Sequence, residues 1–148
     1  MKIDNLTKSI IKQLKDGRKS YKEIAKELSV AENTVRSRVK KMMDEGFLEI
    51  SGLIDPGKLP SHMVVMVGVK LKGMDGVKKG EEMSKLKGVI AVCAVTGHYD
   101  LFLLACLNES FGLAEFITRE LDSVEDIQSA ETFVVYRSFN LKVPYNLD

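Results

Sequence analysis

Between Ser20 and Glu49 the chain reads SYKEIAKELSVAENTVRSRVKKMMDEGFLE, with apolar residues at helical spacing twice and a break at Leu28-Ser29. That break constrains the fold more than any other feature. A single helix through the segment would present no protruding second helix, whereas two short helices joined by a tight turn do. Ser20 with Glu23, and Ser29 with Glu32, each have capping-box spacing, so both helix starts are signalled locally. Upstream, Ile3, Leu6, Ile10, Ile11 and Leu14 predict a helix ended by Asp16-Gly17. The third helix is expected over residues 30–44, with Gly46 after it. Residues 47–50 and Leu53-Ile54 predict a wing hairpin turning near Ser51-Gly52. The boundary of this first domain is expected after residue 54, with Pro- and Gly-containing residues 55–62 as linker.

The third helix is the candidate reader of DNA. Val35, Val39 and Met42 share one face and should pack inward. Asn33, Thr34, Arg36, Ser37, Arg38, Lys40 and Lys41 occupy the remaining surface. Helix N-terminal residues approach base edges in this geometry, which favours Asn33, Thr34 and Ser37 for base contacts. Arg36, Arg38, Lys40 and Lys41 suit phosphates, contacts that carry affinity but little sequence information. The plainer alternative is a solvated amphipathic helix.

Charge supports the DNA reading. Residues 1–60 hold thirteen Lys and Arg against nine Asp and Glu, a net of +4, while residues 61–148 hold nine against twelve, a net of −3. The basic front attracts polyanions and the acidic rear does not. Cys93 and Cys106 each lie in an apolar run and make no disulfide framework. The first ten residues lack the apolar core of a signal peptide, and no apolar run reaches the length of a membrane span, so a cytoplasmic location is expected. There is no metal-ligand spacing, Walker loop, dinucleotide fingerprint or Ser/His/Asp arrangement, and no cofactor is expected.

After residue 62 the pattern changes. Strands are expected over residues 63–71, 89–95, 101–107 and 128–141, and helices over 77–86 and 111–121. The order β-α-β-β-α-β is that of a ferredoxin-like sandwich. The overall class is therefore α+β, an N-terminal winged helix-turn-helix followed by a ferredoxin-like domain. Two helices cover one face of a four-stranded sheet, and the other face should then be polar. Instead the strands are apolar at both parities. A second copy of the chain is the simplest cover for such a face.

Taken together these residues resemble the Lrp/AsnC family, the leucine-responsive or feast/famine transcription regulators. The resemblance runs over essentially the whole chain. It is carried by Asp4 with Ile10-Ile11, Asp16-Gly17-Arg18, Ile24-Ala25, Leu28-Ser29, Thr34-Val35-x-x-Arg38-Val39, Glu45-Gly46 and Thr96-Gly97-x-x-Asp100. Thr7 departs from the family, which often has a second acidic residue there, and the expected effect is on capping or packing. The resemblance implies an effector-binding (RAM) domain, homodimers that associate into octamers or open assemblies, and an amino acid or related metabolite as effector. It maps the effector turn onto Gly97, His98, Tyr99 and Asp100, with residues 83–88 and 129–133 as possible neighbours. By the bland reading, Asp100 caps its own turn and Tyr99 packs.

The leading function is a sequence-specific DNA-binding transcription regulator and not an enzyme, with double-stranded DNA, itself and a small effector as partners. Two rivals stand beside it. One is a tetrapyrrole (sirohaem-type) decarboxylase of related fold, kept open by His98 and Tyr99. The other is an architectural protein that coats DNA with low specificity.

Overall fold

A computed structural model describes residues 3–73, 75–145 and Leu147. The chain divides into two compact units, Met1–Ser51 and Gly52–Asp148.

The first unit is three helices, α1 (Asn5–Gln13), α2 (Tyr21–Glu27) and α3 (Glu32–Asp44). Their apolar stripes cover one another. Ile10, Ile24, Ala25, Val35, Val39 and Met42 form the buried cluster, flanked by half-buried Leu6, Tyr21 and Leu28. Fully burying an aliphatic side chain of this size is worth roughly 1.5–3 kcal/mol, so this small core holds the unit against the entropy of ordering it.

The start of α2 is as the sequence predicts. The Ser20 hydroxyl accepts from the Glu23 amide at 3.2 Å, and the Glu23 carboxylate accepts from the Ser20 amide at 2.7 Å. The second expected capping box does not form. Ala31 is the N-cap of α3 and provides no side-chain bond. Ser29 is used differently: it sits in the left-handed region at φ 54, where the chain leaves α2. Its amide donates to the Lys26 carbonyl at 3.3 Å and the Val30 amide to the Ala25 carbonyl at 3.0 Å, the bond pair of a Schellman turn. Glu32 is thereby free to hold Arg36 instead.

The wing hairpin is also corrected. The same Schellman pair closes α3, with Gly46 at φ 66, Gly46 N–H on the Met43 carbonyl at 3.0 Å and Phe47 N–H on the Met42 carbonyl at 2.9 Å. The Leu48 amide donates to Met42 as well. Phe47 and Leu48 are thus spent on the helix end rather than on a strand. Leu53–Ile54 is a strand, β1, but it pairs antiparallel with Val143–Pro144 (β6) inside the second unit. Lys142 reinforces the pair through an ion pair with Asp55 at 2.9 Å.

The second unit has the expected βαββαβ order. Strands β2 (His62–Leu71), β3 (Val89–Ala94), β4 (Leu101–Asn108) and β5 (Ile127–Val134) form one antiparallel sheet in the order β3-β4-β2-β5. The last strand ends well before residue 141. Helix α4 (Gly76–Met83) joins β2 to β3. Between β4 and β5, α5 opens at Leu113–Glu115, widens into a π turn over Phe116–Glu120 and tightens into a 3-10 turn at Leu121–Ser123. Val65, Val67, Val69 and Leu71 alternate onto the helical side of the sheet and pack with Leu101, Leu103, Met83, Phe116 and Leu121. Among the described residues, no helix is long and apolar enough to cross a membrane.

The two left-handed turns give a direct test. A side chain in that conformation costs energy that glycine does not incur, partly offset by glycine's greater unfolded-state entropy. Ser29→Gly should hold or raise stability, by up to about 1 kcal/mol, and Gly46→Ala should lower it by about 1 kcal/mol. Denaturant titration of the first unit's helical signal reads both, and a destabilised Ser29→Gly would contradict the turn assignment.

Candidate DNA-reading helix and effector turn

Helix α3 exposes Asn33, Arg36, Ser37, Lys40 and Lys41, with Thr34 and Arg38 half-buried. Its core face carries Val35, Val39 and Met42, so the sequence-predicted division of the helix holds. The cations are not equivalent. Arg36 is bound to Glu32 at 2.7 Å, one turn back, and its guanidinium lies over the Tyr21 ring at 5.4 Å. Lys40 pairs with Asp44 at 2.7 Å and Lys41 with Glu45 at 3.8 Å. The Ser37 hydroxyl donates to the Thr34 carbonyl at 3.2 Å.

Arg38 faces away from this surface. One guanidinium nitrogen donates to both oxygens of Asp4, at 2.6 and 2.7 Å, and to the Thr7 hydroxyl at 2.7 Å. Asp4 is also the N-cap of α1, accepting the Thr7 amide at 2.8 Å. Thr7 is the one buried polar residue among the described positions of the core. Asp4, Thr7 and Arg38 therefore tie the start of α1 to the middle of α3. The Arg38 bonds, followed by those from Thr7, hold the Asp4 carboxyl far below the usual carboxylate range. Thr7 fits this arrangement as a neutral donor and acceptor, a packing role in line with its departure from the acidic pattern.

In the second unit, residues 97–100 turn between β3 and β4. Gly97 has φ 128, a conformation reserved for glycine. The Val95 amide donates to the Asp100 carbonyl at 3.0 Å and the Asp100 amide to Val69 at 2.9 Å. The Asp100 carboxylate does not cap its own turn. It accepts the Leu71 amide at 2.8 Å and the Lys70 ammonium at 3.0 Å, one on each oxygen. The Leu71 amide and then Lys70 lower its pKa. Asp100 also lines a cleft of about 320 Å³ with Leu71, Gly73, Gly76, Val77, Ala94 and Val95. A larger cleft, about 570 Å³, lies along Ile117, Leu121, Val124 and Ile127, with Lys72, Asp122, Glu125 and Asp126 among its polar lining.

Tyr99 leaves the turn in another direction. Its ring lies over Gly68 of β2, 2.8 Å from where a Cβ would stand, and makes edge contacts with Phe102 and Phe133 at 5.1 and 6.4 Å. Its hydroxyl donates to Glu131. These residues, with Met66 and Leu104, are in register on the sheet face that neither helix covers. Met66 is 41% and Phe133 40% exposed there. Cys93, in register with Phe102 on the edge strand β3, is exposed rather than buried. His98 is exposed, and its ring meets the edge of Tyr99 at 4.8 Å.

Residues 64–143 match the family model described as the Lrp/AsnC ligand binding domain, and residues 3–49 match a winged helix-turn-helix DNA-binding model. The chain belongs to the Lrp/AsnC family. It is 35% identical over 135 residues to an HTH-type transcriptional regulator of Pyrococcus furiosus, covering 90% of this chain and 91% of the relative. Among solved structures, E. coli AsnC aligns with 27% identity and a TM-score of 0.69, over 93% of this chain and 95% of that one. A Neisseria meningitidis regulator, solved as a complex with L-methionine, shares the fold at 20% identity and a TM-score of 0.71, over 99% and 97% of the two chains. This Lrp/AsnC protein is thus a DNA-binding transcription regulator with a ligand-binding domain.

Of the expected effector residues in this Lrp/AsnC chain, the structure brings Asp100 to a cleft and sends Tyr99 to the opposite, uncovered sheet face. Residues 83–88 and 129–133 do not line that cleft. Leu71, Gly73, Gly76, Val77, Ala94 and Val95 take that place, while Lys70 reaches the Asp100 carboxylate from β2, and nothing in the local sequence signals it. The link is a strand pairing between residues distant in the chain.

Two tests follow from these geometries. The folded-state pKa of Asp4 is depressed, so its contribution to stability is present above the unfolded value of about 3.9 and is lost as pH falls through the folded value. Asp4→Asn should lower the melting temperature at neutral pH, and the gap to the unaltered protein should close in acid below about pH 4. A gap independent of pH would remove the ion pair as its cause. Gly68→Ala should be poorly tolerated because its methyl meets the Tyr99 ring, and Tyr99→Ala in the same chain should recover most of the lost stability. Thermal melts of the single and double variants decide this; additive losses would show that the two sites do not press on each other.

Proposed function

We propose that this regulator reads an operator with the outward face of α3 and adjusts its DNA affinity when an amino acid, or a related small metabolite, binds near the turn Gly97–Asp100. Asn33, Thr34 and Ser37 are assigned to base edges, and Arg36, Lys40 and Lys41 to phosphates. Arg38, matched to phosphates by its sequence position, is reassigned to holding α3 in place through Asp4 and Thr7. The observation that carries the effector reading is the Asp100 cleft, where a carboxylate held by the Lys70 ammonium borders an apolar wall. A zwitterion offers the complementary charges, and its ammonium would compete with Lys70 for Asp100. The neighbour solved with L-methionine supports the ligand class.

The uncovered apolar sheet face supports self-association. A dimer through Met66, Leu104, Phe102, Phe133 and Tyr99 would bury a patch that a monomer leaves in water, and further association to an octamer is the family's pattern. Tyr99 would then connect the effector turn with the dimer contact. A ligand changes DNA affinity through such a link only if it prefers one assembly state. We assign no enzymatic activity and place the protein in the cytoplasm with its DNA. Tetrapyrrole decarboxylation gains no support from Tyr99, whose hydroxyl is bound to Glu131. The architectural reading predicts a continuous footprint on DNA.

Selection of genomic fragments bound by purified protein, with and without a panel of amino acids, tests the reading. Discrete sites whose occupancy changes with one ligand class are expected; binding without preferred sites would favour the architectural alternative. Asp100→Ala should abolish the ligand-dependent change and also lower stability without ligand, because Leu71 and Lys70 lose their acceptor. Met66→Asp in the full chain should shift sedimentation towards monomer. A folded Met66→Asp protein with unchanged mass would move the dimer contact elsewhere.

A further inference from the structure

Every cation on α3 has a carboxylate within 4 Å: Arg36 has Glu32, Arg38 has Asp4, Lys40 has Asp44 and Lys41 has Glu45. Residues 32–45 carry four Lys and Arg against three Asp and Glu, a net of only +1. A phosphate approaching this helix meets each positive charge together with a negative one. The affinity term for DNA depends on cations that neutralise phosphates and release counterions, so these pairs weaken the helix as an anchor.

Helix α2 is organised differently. Its glutamates are turned to internal tasks: Glu23 closes the Ser20 capping box, and Glu27 accepts from Lys19, which also donates to Gln13 at the end of α1. Ile24 and Ala25 are buried. The remaining stripe is Lys22 and Lys26, both exposed, four residues apart and therefore one above the other on the helix. Among the described residues neither side-chain ammonium has a hydrogen-bond or ion-pair partner. The stripe lies roughly opposite the face on which Ile24 and Ala25 are buried, so it points to solvent. The Arg36 guanidinium over Tyr21 brings the opening turns of α3 beside the first residue of α2. In a helix-turn-helix the first helix crosses the DNA backbone while the second enters the groove.

We propose that Lys22 and Lys26 of α2 are the principal phosphate anchors of the DNA-binding unit, and that the cations of α3 contribute less because they are already paired. This deepens the regulator reading and rests on it. The recognised chemistry is the phosphodiester backbone of double-stranded DNA, without regard to base. The division of labour is then simple. α2 supplies salt-dependent affinity, and α3 supplies discrimination through Asn33, Thr34 and Ser37.

The test uses the full chain and a short mixed-sequence duplex. Lys22→Gln and Lys26→Gln should each reduce the steepness of the log K against log salt plot by about 0.9, and the double variant by about twice that. Lys22→Arg and Lys26→Arg should keep the original slope. Lys12→Gln, on the outward face of α1, should leave it unchanged, and Arg36→Gln should change it by less than either α2 variant. Circular dichroism and melting confirm that each variant is folded. A folded double Gln variant with the slope of the unaltered protein would overturn the proposal, as would a larger loss from Arg36→Gln or Lys12→Gln. No binding of the unaltered protein to any duplex would instead sink the regulator reading, and this assignment with it.

Discussion

The pairing of β2 with both β4 and β5 is the constraint on which the second unit depends. β2 is an interior strand, so its amides and carbonyls are committed on both edges and its side chains must be placed on two faces. One face is closed by α4 and α5 over Val65, Val67, Val69 and Leu71. The other carries Met66 and Gly68, and Gly68 is where Tyr99 descends. Even the turn at residues 97–100 is hung from this strand. Val69 accepts the Asp100 amide, and Leu71 donates to the Asp100 carboxylate. A shift of one residue in the register would turn the core set outward and detach the turn from both contacts.

The same turn therefore touches two places. Asp100 points into a cleft and Tyr99 lies on the uncovered face, although the two are adjacent in sequence. Tyr99 and Asp100 leave the turn in different directions, so one short segment touches both the cleft and the uncovered sheet face.

The first unit depends on a different balance. Its core is small, and its three helices are held in relation by polar devices as well as by packing: a capping box at Ser20, two left-handed turns at Ser29 and Gly46, and the bonds from Arg38 to Asp4 and Thr7. Lysine and arginine content alone made α3 look like the affinity element. The three-dimensional pairing shows that charge count and available charge differ, because one carboxylate beside each cation cancels much of its field towards a polyanion.

What the sequence determined by itself was whatever depends on neighbours within one or two turns. The three helical stripes, the Ser20 capping box, the inward set Val35, Val39 and Met42, and the two-sided apolar strands are all expressed in local spacing. So is the β-α-β-β-α-β order. Where local signals competed, the reading failed: Ser29-x-x-Glu32 has capping-box spacing, yet Ser29 was needed to end α2, and a left-handed serine carries no distinctive sequence mark. Leu53-Ile54 looked like half of a wing because its neighbours are apolar, but its partner is Val143–Pro144 near the far end of the chain. The partner of Arg38, the bonding of Asp100 to Leu71 and Lys70, and the descent of Tyr99 onto Gly68 were likewise decided only by tertiary structure. Each is a contact between segments whose separation in sequence carries no information about distance, and only the closed sheet and the packed helices bring them together.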